Sequence, residues 1–458
     1  MLLRRKRATR VKNDRAKGPI TRSEIFTLAW PAILEMTLHM LAWVVDVAMV
    51  GRLGATALGA VSLGGQIFFA VAFFLGSLGV GMTALVARRW GAGDTESASR
   101  AAAAGLFSAA ILGIVAAAAV YLAAPTVFSL SGFSRQGIAS GISYMRISAP
   151  AAIFMVPTAA ANGVMRGTGD TRTPLLVTVI ANVINIVGDY LLIFGVGFFP
   201  EMGVAGAALA FTISQVVASG FAFYALSLRR RVHLSRDSIL HPHMPTLKRL
   251  LTLSLPAGIS VLMMDSARTV TTFIIAAEGE AILAAHQVAI TTEALSFMPG
   301  YGFALAAGVI TGQSLGAGLE DRARAGTIEC AKLASLVMGS VGVLFLVFPR
   351  ELVSVFSSDP ALVPLAAACV RIAGLVQIPV ALGEVLSGSL RGAGDTRSGM
   401  VVASLASWGL RVPLTWFIIR YLGLSLVFVW IALVFEWFLR TSALYLIYRR
   451  GHWTKLDI

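Results

Sequence analysis

Long, predominantly apolar stretches recur along the whole chain, separated by short breaks in which Gly, Pro, Asp and basic residues gather. A helix that crosses about 30 Å of hydrocarbon needs about 20 such residues. The breaks predict spans at 24–50, 57–86, 97–123, 138–163, 173–196 and 203–228, then at 247–275, 282–310, 324–348, 361–388, 398–420 and 424–448. Abundant Ala and Gly blur the hydropathy edges, so the pattern defines the number of spans more firmly than their ends.

Composition narrows the class. Hydrophobic residues make up 57% of the 458 and charged residues only 13%, with mean hydropathy +0.80, whereas soluble domains carry roughly 25% charged residues. A water-soluble fold is excluded, and the lipid bilayer is both solvent and partner. The predicted class is an all-α membrane protein of twelve transmembrane helices.

The formal charge of +14 raises the question of nucleic acid, and the placement of the bases answers it. Arg4, Arg5, Lys6, Arg7, Arg10, Lys12, Arg15 and Lys17 precede the first span, Arg88 and Arg89 follow the second, and Arg166 and Arg172 lie between the fourth and fifth. Arg229, Arg230, Arg231, Arg236, Lys248 and Arg249 lie between the sixth and seventh, Arg322 and Arg324 after the eighth, Arg391 and Arg397 after the tenth, and Arg449, Arg450 and Lys455 after the last. The opposite loops carry mainly Arg52, Arg135, Arg350 and Arg420. Alternation of this kind obeys the positive-inside rule, putting both termini in the cytoplasm of a plasma (inner) membrane protein, and it leaves no nucleic-acid face. The first apolar run is longer than a signal-peptide core and lacks a small-residue cleavage site, so it is expected to be retained. Cys330 and Cys369 both fall in predicted spans and read as small buried hydrophobes rather than a disulfide or thiolate site.

The chain also repeats itself. Arg166-Gly-Thr-Gly-Asp-Thr-Arg172 recurs as Arg391-Gly-Ala-Gly-Asp-Thr-Arg397, an offset of 391 − 166 = 225. That shift also pairs Pro31 with Pro256, Gly91-Ala-Gly93 with Gly316-Ala-Gly318 and Arg146-Ile147 with Arg371-Ile372. Six spans per half make the repeats parallel, an arrangement that in transporters places sites near the midplane and exposes them alternately to each side. The predicted parts are a basic tail (1–23), a first lobe (24–228), a polar connector (229–246), a second lobe (247–448) and a tail (449–458). The paired RGxGDTR turns have two readings: glycines for tight backbone with Asp170/Asp395 or Thr171/Thr396 as helix caps, or an arginine–aspartate latch that opens and closes with transport.

An ionisable side chain at the bilayer centre costs at least about 2.5–3.5 kcal/mol on insertion scales, which makes each one a functional candidate. Asp46 lies deep in the first span, and Asn185 and Asp189 lie four apart on one face of the fifth, with Asn182 roughly continuing it. Two carboxylates and a carboxamide suit a dehydrated Na⁺, or H⁺ if one carboxyl holds it. Their repeat mates, Thr271 for Asp46 and Leu414 for Asp189, are not acidic, so the asymmetry assigns the site to the first half. The plain alternative is that each Asp fixes packing through a polar neighbour. Glu35 and His39 share a stripe with Asp46 and read either as a proton path or as a locally satisfied pair. Asp265 with Arg268, and Glu436 with Arg440, have the spacing of local neutralising pairs, whereas Glu293, Glu384 and Arg411 lack an obvious local partner. Glu293 and Asp265, with Glu35, His39 and Asn182, are the candidates for the substrate cavity. His233, His241 and His243 lie in the connector without ligand-type partners, so no metal is expected beyond Na⁺ at the cation site. No GxxxxGK[ST] loop or nucleophile elbow is present, so no ATP-driven pump, no enzyme and no tightly bound cofactor are expected, and an ion gradient is left as the energy source.

The two RGxGDTR turns, Gly91-Ala-Gly-Asp94, Gly312-Gln-Ser-Leu-Gly-Ala-Gly318 and Ala284-Ala-His-Gln-Val-Ala289 together resemble the multidrug and toxic compound extrusion (MATE) family, over residues 24–448. The resemblance implies a V-shaped, two-lobe exporter that exchanges cationic or amphipathic small molecules for Na⁺ or H⁺, working as a monomer. It implies that Asp46, Asn185 and Asp189, with Thr212 of the sixth span, form the first-lobe cation site, most as in the DinF-like branch. Acidic residues of spans seven and ten serve in the NorM-like branch; here Asp265 stands near the first position and Val380 occupies the second. A lipid-linked precursor or polysaccharide flippase is the alternative, with a basic cavity where this chain offers acidic candidates.

Overall fold

The computed structural model describes residues 18–229, 231–234, 238–239, 241–357, 359–456 and 458. The basic run Arg4 to Lys17, and Arg230 and Arg236 of the connector, lie outside the described residues. Among the described residues the regular structure is entirely helical. Ten helices are long and apolar enough to cross a membrane, and two bent pairs bring the number to twelve. The protein is therefore an integral membrane protein with the number of crossings that its hydropathy predicts.

The departures from straight helices have local causes. The fourth span is a pair, Arg135–Ser148 and Ala151–Gly167, bent by 45° where Pro150 removes a donor and crowds the preceding turn. The eighth span, Glu280–Gly316, bends by 41° between Ala294 and Ser296, and Pro299 lies four residues beyond that point, the register at which a proline ring meets a carbonyl. The eleventh span runs from Thr396 to Tyr421 through two π-helical segments, Leu405–Arg411 and Phe417–Tyr421. At the first of these the Val412 amide donates to the Ser407 carbonyl, five residues back.

Helix starts are sealed by side chains. Asp94 Oδ1 accepts from the Ser97 amide at 2.8 Å, and Asp395 Oδ1 accepts from the Ser398 amide at 3.0 Å. Asp170 accepts from both the amide and the hydroxyl of Thr173, at 3.1 and 2.8 Å. The two RGxGDTR turns are thus built alike: Gly169 (φ 81°) and Gly394 (φ 94°) take the left-handed backbone, and the aspartate that follows caps the next helix.

The described chain forms two compact units. The amino-terminal unit comprises Leu34–Val86 and Asp94–Gly258; the carboxy-terminal unit comprises the described residues up to Ile33, Ala87–Gly93 and Ile259–Ile458. Spans one and seven therefore change unit along their length, after Ile33 and after Gly258, positions that the 225-residue offset relates. Each change falls two residues beyond a proline inside the helix, Pro31 or Pro256.

Small residues let helices approach closely within each unit. The amino-terminal core joins Ala60, Ala72, Ala116, Ala124 and Ala208 to Phe68, Phe128, Tyr144 and Met145. In the carboxy-terminal unit one cluster packs Ile25 and Ala29 of span one against Phe303, Met338, Val380 and Trp437. A pseudo-symmetric crossing lies within that unit: a Cβ on Gly91 would overlap the Gln313 carbonyl, and one on Gly316 would overlap the Arg88 carbonyl. Large apolar side chains such as Leu122, Tyr224, Leu336 and Phe435 stand exposed on helix surfaces, as hydrocarbon solvent permits.

Candidate functional site

Spans one and five of the amino-terminal unit share a polar seam. On span five (Arg172–Phe194), Thr178, Asn182, Asn185 and Asp189 follow one another at helical spacing. On span one (Arg22–Gly51), Glu35, His39 and Asp46 answer them. Asn182 Nδ2 donates to the Leu38 carbonyl at 2.8 Å, fastening the two helices together. His39 Nε2 lies 3.3 Å from Thr178 Oγ1. Glu35 is buried and accepts from Arg166 Nη2 at 2.5 Å, so the first RGxGDTR turn is tied to span one by an ion pair.

At the other end of the seam the carboxylates meet. Asn185 Nδ2 donates to Asp189 Oδ2 at 2.6 Å, and Asp189 is only 1% exposed. The carboxyl of Asp46 is a close electrostatic neighbour of that of Asp189. Among the described residues, Asp46 Oδ1 and Asp189 Oδ1 are buried without a hydrogen-bond partner. Two carboxylates set this near each other repel when both are ionised, a repulsion that a proton or a cation would offset. Buried Tyr144, from the fourth span, lies in the field of both carboxylates. The sequence offered no signal for it, since a lone tyrosine in an apolar run looks like packing. Thr212 directs its hydroxyl to the carbonyls of Ile147 and Ala208, both at 2.9 Å, rather than to the carboxylates.

The remaining candidates belong to the carboxy-terminal unit. Asp265 is half exposed, and its contact with Arg268 is long, at 4.0 Å. Glu293 is half-buried on span eight and lies in the field of Arg411, Arg268 and Glu436. The expected local pair of Glu436 with Arg440 is not the one formed. Glu436 Oε2 accepts from Arg411 Nε at 2.7 Å, while Arg440 lies 3.7 Å from Glu384 and over the Trp437 ring at 4.5 Å. Helical spacing misses such pairs because the residues come from different spans. The signal was arithmetic: Glu384 and Arg411, buried without local partners, each require a counter-charge from another helix. Of the connector histidines, His243 Nδ1 lies 2.9 Å from Thr246 Oγ1 and the His233 amide donates to Ser99 Oγ.

Comparison with known proteins extends over nearly the whole chain. A family model described as MatE matches residues 31–191 and 256–417, segments that begin on the two repeat-related prolines. The probable multidrug resistance protein NorM of Thermotoga maritima is 30% identical over 438 residues, covering 95% of this chain and 94% of that protein. The multidrug resistance protein PmpM of Pseudomonas aeruginosa is 29% identical over 402 residues, covering 85% of this chain and 82% of that protein. Among solved structures, a MOP superfamily transporter from Pyrococcus furiosus superposes with a TM-score of 0.89 at 25% identity, over 96% of this chain and 98% of that one. An outward-facing multidrug resistance MATE transporter of the same superfamily superposes with a TM-score of 0.87 at 26% identity, covering 95% and 96% of the two chains.

Proposed function

Because the chain belongs to the MatE family of membrane transporters, we propose that it is a multidrug exporter that moves cationic or amphipathic small molecules out of the cell in exchange for Na⁺ or H⁺. The observation that carries this reading is the pair of neighbouring carboxyls, Asp46 and Asp189, inside the amino-terminal unit, each with a buried oxygen that has no hydrogen-bond partner among the described residues. In a low-dielectric interior such a pair stays together only while a cation or proton offsets its repulsion. Hard carboxylate oxygens with the Asn185 carboxamide beside them fit a dehydrated Na⁺ in ligand type, and one shared proton meets the same need.

Coupling then follows from differential affinity. The loaded site holds spans one and five together, and the empty site sets two like charges against each other, so ion occupancy biases an equilibrium between two states of the transporter. The Asn182–Leu38 bond joins the same two helices, and the Glu35–Arg166 pair ties span one to the end of span four, so a change at the carboxylates would be felt along this seam. Glu35, His39 and Asn182 in the amino-terminal unit, and Asp265 and Glu293 in the carboxy-terminal unit, are the polar candidates for contact with cargo. Both termini face the cytoplasm of the inner membrane, and the unit of function is the single chain.

The test is efflux of a fluorescent organic cation from proteoliposomes under separate Na⁺ and pH gradients. Asp46→Asn and Asp189→Asn are expected to lower gradient-driven efflux to the level of protein-free liposomes while remaining folded and inserted. Gradient dependence unchanged in both variants would remove this site from the mechanism.

A further inference from the structure

The repeat sets the amino-terminal carboxylates against an unlike arrangement in the other unit. The repeat mate of Asn185 is Leu410, and Arg411 is its next neighbour, inside the π-helical segment Leu405–Arg411. A π turn carries one residue more than an α turn, and such insertions often mark functional positions. Arg411 Nε donates to Glu436 Oε2 at 2.7 Å, so the eleventh and twelfth spans, counterparts of the fifth and sixth, meet through this ion pair. Glu436 is fully buried, and its second oxygen, Oε1, has no hydrogen-bond partner among the described residues. Asp46, by contrast, is represented here by buried Thr271.

We infer that the Arg411 guanidinium is a tethered cation, filling in the carboxy-terminal unit the place that an exchangeable ion takes in the other. A carboxylate buried as deeply as Glu436 needs a counter-charge at all times. A guanidinium does not give up its proton in proteins, and this one is bonded to the chain, so its occupancy is permanent. Among the described residues no arginine forms an ion pair with Asp46 or Asp189, which take their counter-charge from solution. One unit therefore exchanges its cation and the other keeps it, giving one coupling site per chain. Around the pair, Arg440 lies 3.7 Å from Glu384, and Glu293 lies in the field of Arg411 and Arg268.

This inference rests on the proposed coupling site only for its comparison, and the experiment keeps the two apart. In the Asp46→Asn/Asp189→Asn background, ²²Na⁺ binding and thermal unfolding are measured in detergent, with choline replacing Na⁺ at constant ionic strength. The background is expected to bind no Na⁺; if it does bind, the amino-terminal assignment fails and the next comparison still stands. Adding Arg411→Ala vacates a space beside Glu436 and is expected to create one ²²Na⁺ site per chain, or a pH-dependent Tm where a proton fills it. Glu436→Gln should abolish either gain. Folded Arg411→Ala protein with neither gain overturns the inference. Should that variant not fold, the neutral pair Arg411→Met/Glu436→Gln in the otherwise unaltered chain decides, because a tethered ion that is never exchanged can be removed together with its partner. Efflux with unchanged ion dependence supports the inference, and loss of coupled efflux in a folded, inserted protein overturns it.

Discussion

Glu35 is 2% exposed and its partner Arg166 is largely covered, so the pair behaves as a buried ion pair rather than a surface one. Removing one member strands the other in a poorly solvated place, which costs about 3–5 kcal/mol, whereas removing both is often nearly neutral. Arg166→Met alone is therefore expected to lower Tm markedly in detergent, and Glu35→Gln/Arg166→Met to recover most of the loss; equal Tm values for the single and double variants would refute the buried pair. At this scale the sequence was partly legible. Asp46, Asn185 and Asp189 announced themselves as charged or amide residues in apolar runs, and the structure brings them together. The partners of Glu35, Glu436 and Arg440 were hidden, because each lies on another helix and single-helix spacing carries no information about it.

Among elements, the glycine crossing within the carboxy-terminal unit offers the clearest constraint. Gly91 and Gly316 each face a backbone carbonyl that a methyl group would overlap, and a carbonyl held in a helix cannot rotate aside. Gly91→Ala and Gly316→Ala are each expected to destabilise by about 1–3 kcal/mol through overpacking. Gly51→Ala, where a Cβ meets nothing within 4 Å, is the control expected to leave Tm unchanged. Equal effects at all three positions would contradict the close approach. Helix number was readable from hydropathy, whereas the bends at Pro150 and before Pro299 were not, since prolines such as Pro125 and Pro379 also lie inside unbroken spans. The π-helical segments were not readable, since an extra residue in one turn leaves composition and hydropathy unaltered. That hidden insertion brings Arg411 to Glu436.

For the whole molecule, the constant offset of the repeat revealed two related halves, but hydropathy records only that a segment enters the membrane, not which helices it joins. The exchange after Ile33 and after Gly258 was invisible for that reason. Its consequence lies in biosynthesis. Ser77 Oγ donates to the Ser254 carbonyl at 3.1 Å, so the amino-terminal bundle is completed by a segment translated after its own sixth crossing. The first bundle must wait, half assembled, until the ribosome has delivered the beginning of the seventh. Separately produced halves, cut within the connector, are expected to be protease-sensitive alone and protected when co-expressed. Full protection of the lone first half would show that the borrowed segment is dispensable. The chain is thus stitched across its own midpoint, and neither ancestral-looking half is a finished object without the opening turns of the other.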